Sequence, residues 1–226
     1  MNFLARTILT LLLFLPGNLP AQDTNEVLKN LENVLTGRQV TVSNILSDEK
    51  YMYLHSQTGF RELIKMYAGK RNIKIVTDTE PGKKIKVVCT FNNNDEKPLT
   101  GALVYFYQTS AKGWYSDTAA HISGNEGDHR HARLFGYVVT DDDGRIEITT
   151  IQPSGYPNSD LPAHIHISVW KNGNFVRGVP GELLFEDDKR LTAERKQRAL
   201  REGFIISKNT GTETMPVYNY RITINN

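Results

Sequence analysis

The chain has 226 residues, 39% hydrophobic and 23% charged, which fits one sizeable core and excludes a collagen-like or wholly disordered protein. Twenty-seven Lys and Arg against 25 Asp and Glu leave a formal charge of +2, so nothing in the charge balance favours nucleic acid or an anionic membrane as partner. The single cysteine, Cys89, excludes an internal disulfide and sits in the apolar run "IKVVCTF", where it reads as a small buried hydrophobe.

The first 21 residues read as a secretory signal. Arg6 precedes an apolar stretch, Thr7 to Leu15, and Pro16, Gly17 and Pro20 break it before Ala21. That stretch is shorter than the roughly 20 residues of a membrane-spanning helix, and no cysteine follows to carry a lipid anchor. The mature chain is expected to begin near Gln22 and to be secreted or periplasmic.

Residues 22–71 read as a helical extension. Val27, Leu28, Leu31, Val34 and Leu35 recur at helical spacing up to Gly37, and Phe60, Leu63, Ile64 and Tyr67 do so up to Gly69. These helices are expected to pack on the main domain or to pair two copies of the chain. From Asn72 onward short β-branched and aromatic runs follow one another: "NIKIV", "KIKVVCTF", "ALVYFYQ", "RLFGYVVT", "GRIEITTI", "AHIHISVW" and "VYNYRITI". Turn residues separate them, with Asp143-Gly144 a tight-turn signal. The pattern predicts a mainly β protein, a β-sandwich over residues 72–226. One late helix interrupts it, with Thr192 as N-cap and Gly203 as its end.

Side chains alternate faces along a strand. Ala163, Ile165, Ile167 and Val169 therefore share one face, and His164, His166, Ser168 and Trp170 the other. Two imidazoles about 6–7 Å apart along a strand can converge on one cation about 2.1 Å from each nitrogen. A His-X-His pair alone is more often a solvated face. Tyr156, in the turn "QPSGYPNSD", and Tyr115, after "TSAKGW", change the weighing. Phenolates are hard anionic donors that suit a hard trivalent cation, and two of them offset most of the +3 charge of ferric iron. A bound trivalent ion keeps phenols ionised far below their ordinary pKa of about 10.

The run "EKPLTGALVYFYQTSAKGWYSD", then "LFGYVVTDDDGRIEITTIQPSGYP", then "LPAHIHISV" resembles the intradiol ring-cleavage dioxygenases, the catechol and protocatechuate class. The resemblance covers about Lys84 to Val169 and implies their β-sandwich fold. It implies Tyr115 and Tyr156 as tyrosinate ligands and His164 and His166 as imidazole ligands of Fe(3+). Tyr156 is then the axial ligand that leaves when substrate binds and helps take its protons. The implied reaction joins a catechol-type diol with O2 and opens the ring between its two hydroxyl-bearing carbons, giving a muconate-type diacid without external reductant or organic cofactor. By analogy with the family's helical extensions, the N-terminal segment is expected to support a homodimer.

The chain departs from the family pattern at two places. Leu161 stands where the family usually has an arginine just before "PAHIH", and charge preorganised at a reacting centre is often a large catalytic term. Arg130, Arg133 and Arg177 are candidates for that role, Arg133 being taken as the catalytic one. The glycine beside the second tyrosine is also shifted, "PSGY". His129 and His131 form a second His-X-His in "EGDHRHARLFG", read as a polar loop or, with Asp128, as a contact at the mouth of the site. His55 and His121 read as surface residues, and Tyr105, Tyr107 and Tyr137 as packing residues. Two rival readings follow: an all-imidazole zinc or copper site of His129, His131, His164 and His166, and a non-catalytic secreted sandwich that binds without reacting.

Overall fold

The computed structural model describes residues 23–116 and 132–224. Helix α1 (Thr24–Thr36) is capped by the Asp23 side chain, which accepts from the Asn25 N–H, and it stops at Gly37. A short α2 (Val42–Leu46) and a 3-10 turn (Glu49–Leu54) precede α3 (Thr58–Met66), which ends at Tyr67, two residues short of Gly69. Val27, Leu31, Leu35, Phe60 and Ile64 from these helices join the same apolar core as Ile73, Phe135 and Ile165. The extension thus packs on the main domain, the first of the two arrangements its amphipathic faces allow.

All seven expected strands are present: β1 (Asn72–Lys74), β2 (Lys84–Asn93), β3 (Leu103–Gln108), β4 (Leu134–Val139), β5 (Arg145–Ile151), β6 (His164–Lys171) and the last, β10 (Val217–Ile224). Between the last two lie β7 (Asn174–Phe175), β8 (Glu182–Phe185), α4 (Ala193–Arg201) and β9 (Ile205–Ser207). One sheet runs β1-β5-β2-β10; the other runs β4-β3-β6-β8-β9, with β7 paired to β6. Most pairings are antiparallel, but β1 with β5, β2 with β10 and β8 with β9 run parallel. Gly144 makes the predicted tight turn at φ +68°, yet β4 and β5 belong to different sheets. The turn carries the chain across the sandwich instead of closing a hairpin.

The inner faces are dry. Val87, Cys89, Ile146 and Ile148 face Ile165, Ile167 and Val169, all at or below 4% exposure, and burial of each such side chain is worth roughly 1.5–3 kcal/mol. Burial also pushes the Cys89 thiol well above its ordinary range, so Cys89 is the inert core residue it was expected to be. In α4, Thr192 accepts from the Arg195 N–H as predicted, and Gly203 follows at φ +85°. Leu184, Leu191, Ala199, Phe204 and Ile206 form a second apolar cluster, which seats α4 over the end of β8 and β9 beside the strand of the two histidines.

Candidate metal centre

On β6 the alternation holds: Ile165 and Ile167 are buried in the core, and His164 and His166 stand on the opposite face. Tyr107 lies directly across from His166 on β3, and Glu182 directly across on β8. The two tyrosines arrive on loops. A hydrogen bond from the Thr109 hydroxyl to the Ser154 carbonyl, 2.6 Å, and one from the Ser154 N–H to the Ser110 carbonyl, 3.2 Å, tie the loops together.

Glycines set how closely the loops approach. Gly113, two residues before Tyr115, adopts φ +77°, and a Cβ there would overlap the Gly155 carbonyl oxygen. Gly155, just before Tyr156, is packed in turn against the Arg190 guanidinium and the Leu161 carbonyl. The shifted glycine of "PSGY" therefore has a local reason: no side chain fits between this turn and its neighbours.

The four expected ligands meet. The Tyr115 hydroxyl is 2.7 Å from the Tyr156 hydroxyl and 2.9 Å from His166 Nε2. Tyr156 Oη lies 3.2 Å from His164 Nε2, and the two Nε2 atoms are 3.1 Å apart. Four donors about 2.0–2.1 Å from one ion, at angles between square and tetrahedral, have edges of roughly 2.9–3.4 Å; the three edges that involve a histidine fall in that range, and the phenol–phenol edge of 2.7 Å is a little shorter. The His164 tautomer points the same way. The His164 Nδ1–H donates to the Pro162 carbonyl at 2.8 Å, leaving a lone pair on Nε2. That lone pair faces His166 Nε2 at 3.1 Å, an arrangement that calls for a cation or a proton between the two nitrogens. The Glu182 carboxylate lies 3.9 Å from His166 Nδ1, beyond hydrogen-bond reach. The donors fit a metal.

His164, His166 and Glu182 also offer ligand atoms within 4.8 Å of one another. Glu182 lies 3.9 Å from His166 Nδ1, while the Nε2 atoms of the two histidines converge at 3.1 Å. Glu182 is the one carboxylate that stands with the two imidazoles within ligand reach among the described residues. The other half of the site is braced separately. The Arg190 guanidinium donates to the Tyr156 carbonyl at 3.0 Å, and the Ala163 N–H donates to Asp188. Neither Glu182, on a four-residue strand, nor Arg190, in a charged run, carries a local pattern that singles it out.

Arg133 is brought to the site through its backbone. Its N–H donates to the Tyr115 carbonyl at 2.7 Å, while its guanidinium grips Glu80 at 2.6 and 2.8 Å. The pair is nearly dry, with side chains 13% and 4% exposed. Glu80→Gln removes the charge opposite that guanidinium, and breaking a buried pair in this way costs about 3 kcal/mol. In a domain of this size the midpoint of thermal unfolding should fall by roughly 6–12 °C, a shift that calorimetry would read.

Arg177 is exposed. Leu161 is 54% exposed and lines a cavity of about 270 Å³ with Pro162, His164, Glu182, Arg195 and Phe204. His55 departs from expectation: it is 2% exposed, donates from Nδ1 to the Arg133 carbonyl at 2.8 Å, and stacks on Phe60. A lone histidine before a helix gives no sign of such a long-range bond. Tyr105, Tyr107 and Tyr137 are packing residues, as expected, arranged as a ring ladder that ends on His166. His121, Asp128, Arg130 and both members of the second His-X-His, His129 and His131, lie outside the described residues.

A family model described as dioxygenase matches residues 65–225, and the chain belongs to that family, the intradiol ring-cleavage dioxygenases. Among solved structures, an intradiol ring-cleavage dioxygenase from Tetranychus urticae is 22% identical, with 70% of this chain and 87% of that one covered at a TM-score of 0.52. The dioxygenase domain of a dioxygenase and carbohydrate-binding protein fusion from Streptomyces sp. SirexAA-E is also 22% identical, covering 70% and 89% at 0.51. Chlorocatechol 1,2-dioxygenase from Pseudomonas putida is 16% identical over 89% and 96% at 0.50. At these identities the likeness establishes the fold, which is the mainly β architecture expected from the strand pattern.

Proposed function

We propose that the protein is a ferric, non-haem dioxygenase that cleaves a catechol-type diol between its two hydroxyl-bearing carbons. The observation that carries the reading is the closed ring of Tyr115, Tyr156, His164 and His166 donor atoms, with edges of 2.7–3.2 Å. Two phenolates and two neutral imidazoles suit Fe(3+) better than zinc or copper. Bound Fe(3+) supplies the Lewis acidity that draws electrons from a coordinated diol and lets its ring react with O2. His164 and His166 hold their Nε2 atoms in place from a rigid strand. Tyr156, on a loop, takes a proton at Oη from one incoming diol hydroxyl. In the balance, one carbon–carbon bond breaks, both atoms of O2 end in the diacid, and no reductant enters.

The cavity beside His164 supports a small single-ring substrate. Its volume of about 270 Å³ is just below the roughly 300–1,000 Å³ of small-molecule sites. Leu161 supplies apolar surface there, and Arg195 from α4 lines the same cavity. Its guanidinium is anchored by the Asp160 and Arg190 carbonyls and faces the Asp160 carboxylate. In this reading Arg195 supplies the cation that position 161 lacks. Arg195→Gln should lower kcat/KM for catechol about tenfold or more, and adding Leu161→Arg to that variant should restore part of the loss. Equal rates for Arg195→Gln and the parent would remove Arg195 from the site.

The apolar segment Thr7 to Leu15 supports export, so the diol is met outside the cytoplasm. No helix among the described residues is long and apolar enough to cross a membrane. The test of the reaction is oxygen uptake by the iron-loaded protein with catechol, followed by ultraviolet detection of a muconate. One O2 consumed per diacid formed supports the reading; diol binding without uptake supports the non-catalytic sandwich instead.

A further inference from the structure

The helical extension reaches the metal centre through one buried cation. Arg61 of α3 is 3% exposed. Its Nε donates to the His55 carbonyl at 2.8 Å, Nη1 to the Tyr105 hydroxyl at 3.2 Å, and Nη2 to the Ala132 carbonyl. The guanidinium also lies 3.7 Å over the centre of the Phe135 ring, a cation–π contact of the stronger, desolvated kind. A guanidinium held by two carbonyls, a phenol and a ring face fixes whatever it touches.

What it touches leads to two of the four donors. Tyr105 stacks on Tyr107, centroids 5.6 Å apart, and Tyr107 stacks nearly parallel on His166, at 4.4 Å and 11°. Both tyrosines are at most 3% exposed, so neither ring has room to turn. The second path runs along the backbone: Arg61 holds Ala132, His55 holds the Arg133 carbonyl, and the Arg133 N–H donates to the Tyr115 carbonyl. Tyr156 and His164 are instead braced by Arg190, Asp188 and the Pro162 carbonyl. Arg61 lies upstream of residues 65–225, the part that matches the family.

We propose that Arg61 is a positioning residue of the metal centre, setting the orientation of His166 through the Tyr105–Tyr107 ladder and the backbone of Tyr115 through Ala132 and Arg133. The helical extension is then part of the site and not only a cover for the sandwich. The inference rests on the four-donor reading above.

The test compares Arg61→Met and Tyr105→Phe with Leu63→Ala, a buried residue of the same helix that lines the groove against α1 beside Leu28. Three quantities are followed: thermal midpoint, the rate at which a chelator strips ferric iron, and the imidazole NMR signals of the metal-free protein. Arg61→Met should speed iron release about tenfold, the size seen when partners of metal ligands are removed, and should shift the His166 resonances. Tyr105→Phe, which deletes one hydroxyl, should move both readouts the same way by less, and the double variant should fall short of the sum. Leu63→Ala should lower the midpoint while leaving both site readouts unchanged. If Arg61→Met and Leu63→Ala affect the site equally, or Tyr105→Phe leaves the His166 signals in place, Arg61 is only a packing residue. Should Arg61→Met fail to fold, Tyr105→Phe and Tyr107→Leu carry the comparison. A parent protein that does not retain ferric iron contradicts the four-donor reading, and the metal-free NMR then still decides the ladder.

Discussion

His166→Ala is expected to abolish ferric iron retention and to reduce diol cleavage by on the order of 10³-fold, equivalent to about 4 kcal/mol of activation free energy. The imidazole contributes one Nε2 corner of the donor ring, 2.9 Å from Tyr115 and 3.1 Å from His164. Among the described residues, Glu182 is the only carboxylate clustered with the two histidines, and it lies 3.9 Å from His166 Nδ1. The fold should survive: the strand is held by Ile165 and Ile167 on its inner face and by pairing to β3 and β8. The check is metal content after gel filtration, read beside circular dichroism. A folded variant that keeps a full equivalent of iron would show that the ring of donors is not the ligand set.

Gly113→Ala should be nearly as damaging although it removes no chemical group. The residue sits at φ +77°, and an added methyl collides with the Gly155 carbonyl, which is backbone and cannot swing aside. Relief requires the Tyr115 and Tyr156 loops to separate. Their hydroxyls are 2.7 Å apart, and a displacement of about 1 Å in such a constellation costs on the order of 10²-fold in rate. Kinetics and visible spectra of the variant should show weaker tyrosinate absorption and kcat/KM lowered to that degree, with sheet content unchanged. Gly203→Ala is the control, because Gly203 also has positive φ (+85°) but nothing lies within 4 Å of the added carbon.

Much of the molecule was legible in the sequence because its signals are local. Period-two alternation along "AHIHISVW" places both histidines on one face, and seven strand-like runs find seven strands. The three strands that escaped, β7, β8 and β9, are only 2–4 residues long, too short for periodicity to register; β1 is as short, but the run "NIKIV" around it is longer. The sheet assignment of β4 and β5 was equally hidden, since a tight turn looks the same whether it closes a hairpin or crosses a sandwich. In the site, the four residues that the structure brings together, Tyr115, Tyr156, His164 and His166, were legible through their chemistry and motif order. Their supports were not. Arg61 bonds to Tyr105 across 44 residues, Arg133 to Glu80 across 53, and His55 to Arg133 across 78, and no short-range pattern encodes such pairs. His55 was misplaced for that reason: a histidine is judged by its neighbours in sequence, whereas burial and a distant carbonyl decide its place.

The rival all-imidazole site and the ferric tyrosinate site make opposite demands on Tyr115 and Tyr156, and colour separates them. The most direct measurement is the visible absorption spectrum of the purified protein loaded with ferric iron, before and after catechol, alongside Tyr115→Phe. The account predicts a broad tyrosinate charge-transfer band that shifts when catechol is added and is weakened by Tyr115→Phe. A colourless protein, or a band indifferent to that substitution, would contradict it.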